Sequence, residues 1–361
     1  MSSVLTDVCP HPIVQAPMAG GVAVPQLAAA VSEAGGLGFL AAGYKTADGM
    51  YQEIKQLRGL TSRPFGVNLF LPQPETADPA AVDVYAHQLA GEASWYETAL
   101  GDPDSGRDDG YDAKLAVLLD NPVPVVSFHF GVPAREVLDS LRRAGTLTLV
   151  TATTAEEARA VERAGADAVI AQGVEAGGHR GSFDDRRPGD LGLLALLQLC
   201  GAAVDLPLVA TGGLATGRAV AAVLAAGARA AQLGSVFMRT PEAATSPAQR
   251  AALAGTAPTA LTRAFTGRTA RGIVNRFLVE HAGEAPAAYP DVHHLTAPVR
   301  AAARARGDAD AINLWAGQAY PLGTEEPAGD VVRRLAAEAR AALQEAAART
   351  AATPGAGEVT V

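Results

Sequence analysis

Eight short apolar runs, separated mostly by helical segments, recur along this 361-residue chain. Most of these runs are uninterrupted rather than alternating, which is typical of parallel strands that are covered on both faces. The predicted strands span residues 13–15, 37–41, 65–69, 125–128, 147–150, 168–171, 208–210 and 230–233. Eight parallel strands with helical crossovers close into a barrel. The sequence therefore predicts an α/β protein built on a (β/α)₈ TIM barrel.

Helical segments follow most of the predicted strands, and three of them end in the same way. An Ala-rich helix reaches Gly35, Gly165 or Gly227, and an apolar run begins within three residues. Glycine readily adopts the left-handed conformation that ends many helices. This repeated junction is typical of the helix–loop–strand connections of a barrel. The predicted helices span residues 25–34, 49–60, 134–143, 155–164, 191–203 and 216–226.

Two regions interrupt the repeat. Residues 72–122 are mostly polar and are expected to insert one or two helices between strands three and four. The barrel is predicted to occupy residues 1–245, followed by a lid-like extension at 246–320 and by a closing helix and flexible tail at 321–361. Within the extension, residues 262–272 are expected to form a loop or hairpin. A barrel takes about 250 residues, so one barrel with an insertion and a lid fits the length.

Charge and composition exclude several classes of protein. The formal net charge is −9, and no run of five basic residues occurs, which argues against a nucleic-acid or anionic-membrane partner. The longest apolar stretches are shorter than the about 20 residues that span a membrane, and no signal peptide is expected. Neither Cys9 and Cys200 nor the adjacent His293 and His294 have metal-ligand spacing, so no metal site is expected. A cytoplasmic location fits the two cysteines, and a homodimer is one arrangement that the sequence allows.

The carboxyl ends of the strands carry the chemistry in this fold, and the loop after strand six is the most informative. Residues 172–181 place four glycines around His179. Glycines let the backbone approach a ligand closely, and an imidazole can accept a proton near neutral pH. A lone histidine in a glycine-rich turn is more often a surface residue. Its position at the end of a barrel strand favours a catalytic role for His179.

Glycine-rich loops also follow strands seven and eight. Gly212 and Gly213 follow the seventh strand, and Gly234 and Ser235 follow the eighth, where a short helix is predicted to begin. Backbone N–H groups of two such loops form a cradle for a phosphate group. No GxGxxG occurs in a strand–turn–helix context, so a Rossmann dinucleotide site is not supported.

Two further segments offer contacts for a flat ring system. Ala16, Pro17 and Met18 form a small-residue turn after strand one, and Asn68 lies near the end of strand three. Such a turn can lie against a ring, and an amide can hydrogen-bond a ring carbonyl or ring nitrogen. A core methionine and a capping asparagine are the alternative interpretations. His129, after strand four, is expected to line the pocket rather than to catalyse.

Taken together, these loops resemble the nitronate monooxygenase family, bacterial class I, formerly called 2-nitropropane dioxygenases. The resemblance covers about residues 12–318, and its motifs are residues 15–21 with 34–38, then 65–72, 126–133 and 170–181. It implies an FMN-containing barrel with a lid. It also implies a detoxifying oxidation of alkyl nitronates, notably propionate 3-nitronate, by O₂ to a carbonyl compound and nitrite, without consumption of nicotinamide.

By matching position, the resemblance identifies His179 as the active-site histidine and Gln318 as a residue near the flavin ring. His179 would position an anionic nitronate, or abstract a proton if a neutral nitroalkane binds. Where the family often has Ser-Thr, this chain has Ala23 and Val24, so one hydroxyl contact near FMN is expected to be missing. The residues expected to contact FMN are Ala16, Pro17, Met18, Asn68, Gln172, Gly177, Gly178, Gly212, Gly213, Gly234 and Ser235.

Two other functions remain open from the sequence. The first is an NAD(P)H-dependent FMN reductase of enoyl thioesters or quinones, because parts of the last motif and of residues 262–275 recur in FMN-dependent enoyl-acyl-carrier-protein reductases. That function needs a nicotinamide site, which the sequence does not reveal. The second is a non-catalytic barrel that keeps FMN as a structural or sensing ligand.

Overall fold

The computed structural model describes residues 7–73 and 78–351. Within them, eight parallel strands are arranged in the order β1-β8-β7-β6-β5-β4-β3-β2, and a bridge between Val14 and Leu37 joins the two edges into a barrel. The predicted (β/α)₈ fold is confirmed. The strands are β1 (Ile13–Gln15), β2 (Gly38–Ala41), β3 (Phe65–Phe70), β4 (Val125–His129), β5 (Leu147–Ala152), β6 (Ala168–Gln172), β7 (Leu208–Thr211) and β8 (Ala230–Leu233).

Helices surround the strands, and local sequence sets their ends. The hydroxyl oxygen of Thr154 accepts a hydrogen bond from the Glu157 N–H at the start of α7, as expected of an N-cap. The three glycines of the repeated junction, Gly35, Gly165 and Gly227, all have positive φ, between 86° and 101°. The first nine helices are α1 (Pro25–Glu33), α2 (Ala47–Leu60), α3 (Pro79–Gln88), α4 (Ala90–Trp95), α5 (Tyr111–Asp120), α6 (Arg135–Arg143), α7 (Ala155–Ala164), α8 (Leu193–Gly201) and α9 (Gly217–Ala225).

Two apolar cores result from this arrangement. Inside the barrel, alternate strand residues such as Val14, Phe39, Leu149 and Ile170 are fully buried against one another. A larger core lies between the strands and the surrounding helices. Because strands of this kind are covered on both faces, their continuous apolar runs are explained.

The insertion between β3 and β4 contributes α3, α4 and α5. Helix α5 packs against β3 and between α2 and α6, as the crossover helix of the third unit would. The additional helices are therefore α3 and α4, in agreement with the one or two that the polar composition predicts. Residues 74–77 of this insertion lie outside the described residues.

The extension after β8 forms a small sheet and four helices, α10 (Pro247–Leu253), α11 (Arg276–His281), α12 (Asp291–Ala305) and α13 (Ala328–Ala351). Strands β9 (Thr259–Thr262) and β10 (Ala270–Ile273) form the expected hairpin. The segment Gly178–His179 pairs with β10, so the extension is joined to the loop after β6.

Helix α13 closes the fold by packing on α9 and α1. The sequence predicts a tail from residue 350, but residues 350 and 351 still belong to α13, and residues 352–361 lie outside the described residues. Among the helices that the structure describes, none is both long enough and apolar enough to cross a bilayer.

Candidate active site

A cavity of about 470 Å³ lies at the carboxyl ends of the barrel strands. This volume is within the range of about 300–1,000 Å³ that is usual for ligand and cofactor pockets. Twelve of the residues predicted from the sequence line it: Ala16, Pro17, Met18, Asn68, Gln172, Gly177, Gly178, His179, Gly212, Gly213, Gly234 and Ser235. The structure therefore brings together segments that are far apart in the chain.

Gln318 is the predicted residue that the structure does not bring into the cavity lining. Its side chain is exposed, and its backbone N–H donates to the Glu175 carbonyl at 3.0 Å. The neighbouring Gly317 and Ala319 do line the cavity. The segment that the resemblance names therefore borders the cavity through its small residues, and the position of Gln318 near the flavin ring stays a prediction.

Barrel residues up to 245 form one wall of the cavity, which we call the barrel wall. Small and neutral residues dominate it, and none of the described residues in it is Arg, Lys, Asp or Glu. Gly212 and Gly213, after β7, have φ of 126° and 66°, which a residue with a side chain rarely adopts. Beside them, Ser235 begins a short 3₁₀ turn after β8. The two loops therefore have the form expected of a phosphate cradle.

Two side-chain amides of the barrel wall, those of Asn68 and Gln232, keep an oxygen that can accept a hydrogen bond from a ligand. The Asn68 Nδ2 donates to the Ser127 hydroxyl at 2.9 Å, which leaves its Oδ1 as a hydrogen-bond acceptor. The Gln232 Oε1 is buried and has no hydrogen-bond partner among the described residues, although Gln232 lines the cavity. Because a buried acceptor without a partner is costly, Gln232 favours a ligand that carries N–H or O–H donors.

Both polar atoms of the Gln172 side chain form hydrogen bonds within the protein. Its Nε2 donates to the His179 carbonyl at 3.0 Å, and its Oε1 accepts the Gly181 N–H at 2.8 Å. The fully buried Arg180 donates to the carbonyls of Gln172 and Gly173 at 3.0 and 2.8 Å. Both side chains thus fix the loop that carries His179.

His179 lies between the barrel and the extension. Its Nε2 is 2.9 Å from the hydroxyl oxygen of Thr266, and the rings of Phe130, Tyr289 and Trp315 surround it at centroid distances of 5.5–5.8 Å. Burial, followed by the positive charge of Arg268, lowers the pKa of His179 well below its usual value. The imidazole is therefore neutral at physiological pH.

Residues from 246 onwards form the other side of the cavity, which we call the extension wall. Two arginines of α12, Arg300 and Arg304, are its charged residues. Among the described residues, neither forms an ion pair with a carboxylate. Burial lowers the pKa of Arg300 to about 10, and its guanidinium donates to the Thr296 hydroxyl at 3.0 Å and to the His293 carbonyl at 2.8 Å. An unneutralised buried cation favours an anionic ligand.

His293 also lines the extension wall, although its position in the sequence predicts no site. Its ring stacks on that of Tyr44, with centroids 4.1 Å apart and planes 6° apart. One available signal is helical spacing, because His293, Ala297, Arg300 and Arg304 follow one another at intervals of four, three and four residues. Such spacing places side chains on one face of a helix, but it does not reveal that this face meets a cavity.

His129 lines the barrel wall, as the sequence predicts. Its Nε2 lies 3.3 Å from the His179 carbonyl, and burial lowers its pKa to about 3. Next to it, Phe130 has a φ of 76° and the Arg268 guanidinium lies over its ring at 3.9 Å. His129 therefore supports the loop that carries His179, and it does so as a neutral side chain.

Comparison with known proteins agrees with this arrangement. The family model described as nitronate monooxygenase matches residues 2–338. This chain belongs to the nitronate monooxygenase family. A nitronate monooxygenase from Pseudomonas aeruginosa is 44% identical over 91% of this chain and 96% of that protein, and one from Paraburkholderia phytofirmans is 41% identical over 92% and 93%. The chain is therefore an enzyme of an oxidoreductase family.

Two solved structures are similar over nearly the whole chain. A nitroalkane oxidase from Streptomyces ansochromogenes is 68% identical, with a TM-score of 0.92, over 95% of this chain and all of that chain. The FabK protein from Thermotoga maritima is 28% identical, with a TM-score of 0.76, over 97% of this chain and 99% of that chain. The barrel and its extension therefore recur together in these solved structures.

Proposed function

We propose that this enzyme oxidises alkyl nitronates of the propionate 3-nitronate type with O₂, giving a carbonyl compound and nitrite, and that it holds FMN in the cavity. The observation that carries the proposal is the composition of the two walls: a neutral, glycine-rich barrel wall faces an extension wall with two arginines, and neither of these forms an ion pair with a carboxylate of the described residues. The first suits a flat cofactor with a phosphate group, and the second suits a small anionic substrate. The names of the relatives point to the same chemistry.

The residues present fit FMN. Gly212, Gly213, Gly234 and Ser235 provide the phosphate cradle, and Met18 lies beside Gly234, with its sulfur 3.8 Å from where a β-carbon would stand. The Asn68 Oδ1 and Gln232 Oε1 are acceptors for ring N–H or ribityl hydroxyl groups. When bound, FMN supplies the electron acceptor for substrate oxidation. Ala23 is buried and neither it nor Val24 lines the cavity, so we expect FMN binding to proceed without the hydroxyls that are common there.

Arg300 and Arg304 orient the substrate. A nitronate that also carries a carboxylate has two negative groups, and the described residues of the cavity offer no carboxylate that would repel them. Arginine can bind a carboxylate through two parallel hydrogen bonds. We therefore assign the arginines to the negative groups of the substrate. The neutral His179 is left to accept a proton when the substrate arrives in its nitroalkane form.

The extension covers the mouth of the barrel and thereby keeps bulk water out of the cavity. Trp315 and the small residues Ala316 and Gly317 line the cavity from this side. Inside such a site, charge interactions are stronger than in water. We expect the enzyme to act in the cytoplasm on small-molecule nitronates and O₂, and a homodimer is compatible with this function.

A stoichiometric assay tests the proposal. FMN-loaded protein is supplied with propionate 3-nitronate, and O₂ uptake, nitrite and carbonyl product are measured with and without NADH. We expect nitrite to form from the nitronate at a rate that NADH does not change. NADH-dependent reduction of enoyl thioesters or quinones would instead favour the reductase function that the sequence leaves open. FMN uptake without turnover of any of these substrates would favour a non-catalytic flavoprotein.

A further inference from the structure

Thr266 lies in the loop between β9 and β10 and lines the cavity beside His179. Only 1% of its surface is exposed. Its hydroxyl oxygen is 2.9 Å from His179 Nε2, so the extension contacts the active-site histidine through this hydroxyl. The proposed function assigns no role to Thr266.

The hydroxyl of Thr266 has three neighbours that can form hydrogen bonds. Besides His179 Nε2, the Arg268 carbonyl oxygen lies 3.3 Å away and the Arg268 backbone nitrogen 3.4 Å away. A threonine hydroxyl has one hydrogen to donate and two lone pairs that accept. All three neighbours are satisfied only if the hydroxyl donates to the Arg268 carbonyl and accepts from both nitrogens. In this arrangement the proton of the neutral imidazole is on Nε2.

The opposite arrangement leaves one hydrogen-bonding group without a partner. If the hydroxyl donated to Nε2, the proton of the imidazole would be on Nδ1, and the Arg268 carbonyl, which belongs to a residue only 2% exposed, would lose this donor. A buried carbonyl without a donor is costly. The two arrangements also differ in function, because Nδ1 accepts a proton in the first and donates a hydrogen bond in the second.

We propose that Thr266 is a positioning residue that holds His179 in the tautomer with its proton on Nε2, so that Nδ1 is the proton acceptor for a neutral nitroalkane. This inference rests on the proposed function, because the nitroalkane is the protonated form of the nitronate. The α C–H bond of the nitroalkane breaks, its electron pair moves onto the nitro group, and the proton passes to Nδ1. The products of this step are a nitronate anion and an imidazolium.

The surroundings of His179 affect the energy of this proton transfer. Burial, followed by the positive charges of Arg268 and Arg300, disfavours the imidazolium, whereas the nitronate that forms in the same step carries a compensating negative charge. The Nε2–H remains bonded to Thr266 throughout. The neutral histidine is therefore regenerated when the proton leaves, and the same tautomer is restored by the same hydroxyl.

The tautomer can be observed directly by nitrogen NMR of ¹⁵N-histidine-labelled, FMN-loaded protein, with the His179 signals assigned by His179→Asn. We expect the wild type and Thr266→Ser, which keeps the hydroxyl, to carry the proton on Nε2 at neutral pH. Thr266→Val, which keeps the shape and loses the hydroxyl, should shift the proton partly or fully to Nδ1. A wild type with its proton on Nδ1, a wild-type imidazolium, or a valine variant that retains the tautomer would overturn the proposal.

Kinetics with a matched pair of substrates provide the second readout, with FMN content and thermal unfolding measured as checks on the fold. For Thr266→Val we expect kcat on a neutral nitroalkane to fall by about 10- to 100-fold. This is less than the about 10²- to 10⁴-fold that a general base contributes, because His179 itself is retained. The serine variant should keep most of the activity. Turnover of the preformed nitronate, which needs no proton abstraction, should change little.

Equal losses on both substrates would show a merely structural role and would overturn the proposal, as would a wild type that oxidises the nitronate but not the nitroalkane. Failure of the proposed function is distinguishable from these outcomes. In that case the NMR result stands, while the wild type oxidises neither substrate.

Discussion

The two walls of the cavity recognise ligands in different ways. The barrel wall offers neutral amides and the backbone of glycines with positive φ, and in the part of the chain that the structure describes it carries no charged residue. The extension wall offers side chains, among them Arg300, Arg304, His293 and Thr266. His179 belongs to the barrel loop after β6 but pairs with β10 of the extension. This difference supports our proposal that the barrel wall holds FMN and that the extension wall orients the substrate.

The largest effect is expected at His179, where the walls meet. His179→Asn should lower kcat on a neutral nitroalkane by about 10²- to 10⁴-fold, since a general base contributes about that much. FMN content should stay unchanged because the phosphate cradle lies in other loops. His87→Asn, on the exposed surface of α3, is the control. Loss of FMN from the His179 variant would mean that His179 binds the cofactor, and it would contradict the role as a general base.

The buried histidines of both walls should make the stability of the protein fall at acidic pH. Burial, followed by nearby arginines, holds the pKa of His129 at about 3 and of His293 at about 2, and that of His179 well below its usual value. In the unfolded chain these groups titrate near about 6.5. Between these values the unfolded state binds more protons, so stability falls as the pH falls below about 6.5.

At pH 5.5 we expect a loss of about 1 kcal/mol for each of His129 and His293 relative to pH 7.5, and a further loss in the same direction from His179, measured by urea unfolding of the FMN-loaded protein. His293→Asn should reduce this pH-dependent loss by about 1 kcal/mol, and the exposed His87→Asn should leave it unchanged. A stability that is flat between these pH values would mean that the three imidazoles are accessible to protons in the folded protein.

Arg300 tests the assignment of the extension wall to the substrate. Arg300→Gln should raise KM for propionate 3-nitronate by about 10- to 100-fold, as expected for loss of a hydrogen bond to a charged group. The nitronate of 1-nitropropane has the same carbon chain and no carboxylate, so its KM should change much less. Arg306→Gln, an exposed arginine that contacts Glu97, serves as the control. Equal losses on both substrates would place Arg300 in the fold rather than in carboxylate recognition.

A pair of glycines tests the barrel wall. Gly213 has a φ of 66°, and a β-carbon there would lie 3.0 Å from the Glu175 β-carbon, whereas a β-carbon at Gly234 would meet nothing closer than 3.6 Å. Gly213→Ala should cost about 1–2 kcal/mol of FMN binding or folding because of its left-handed backbone. Gly234→Ala should bind FMN nearly normally. Titration of the FMN-free proteins with FMN measures both, and an inverted order of the two affinities would contradict the proposed cradle.

The barrel wall could be predicted from the sequence because its determinants are local. The continuous apolar runs show where each barrel strand ends, and the glycines that follow them, such as Gly177 and Gly213, indicate the loops that we propose hold FMN. The helix junctions at Gly35, Gly165 and Gly227 follow the same logic, and all three adopt positive φ.

The extension wall could not be predicted in this way. Arg300 and His293 lie on a helix whose local sequence has no recognisable motif. They reach the cavity only because the extension folds over the barrel, which local sequence does not predict. Gln318 illustrates the same limit, because a motif can identify a segment without identifying which of its residues faces the cavity. Thr266 lies in a hairpin that the sequence predicts, but its contact with His179, 87 residues away, depends on the tertiary fold.

Anaerobic mixing of the FMN-loaded protein with propionate 3-nitronate, and separately with NADH, tests the central claim most directly. The flavin absorbance reports whether either compound delivers electrons to the cofactor. Our account predicts rapid loss of absorbance with the nitronate, none with NADH, and a markedly slower response to the nitronate in Arg300→Gln. Loss of absorbance with NADH alone, or a protein that takes up no FMN, would contradict it.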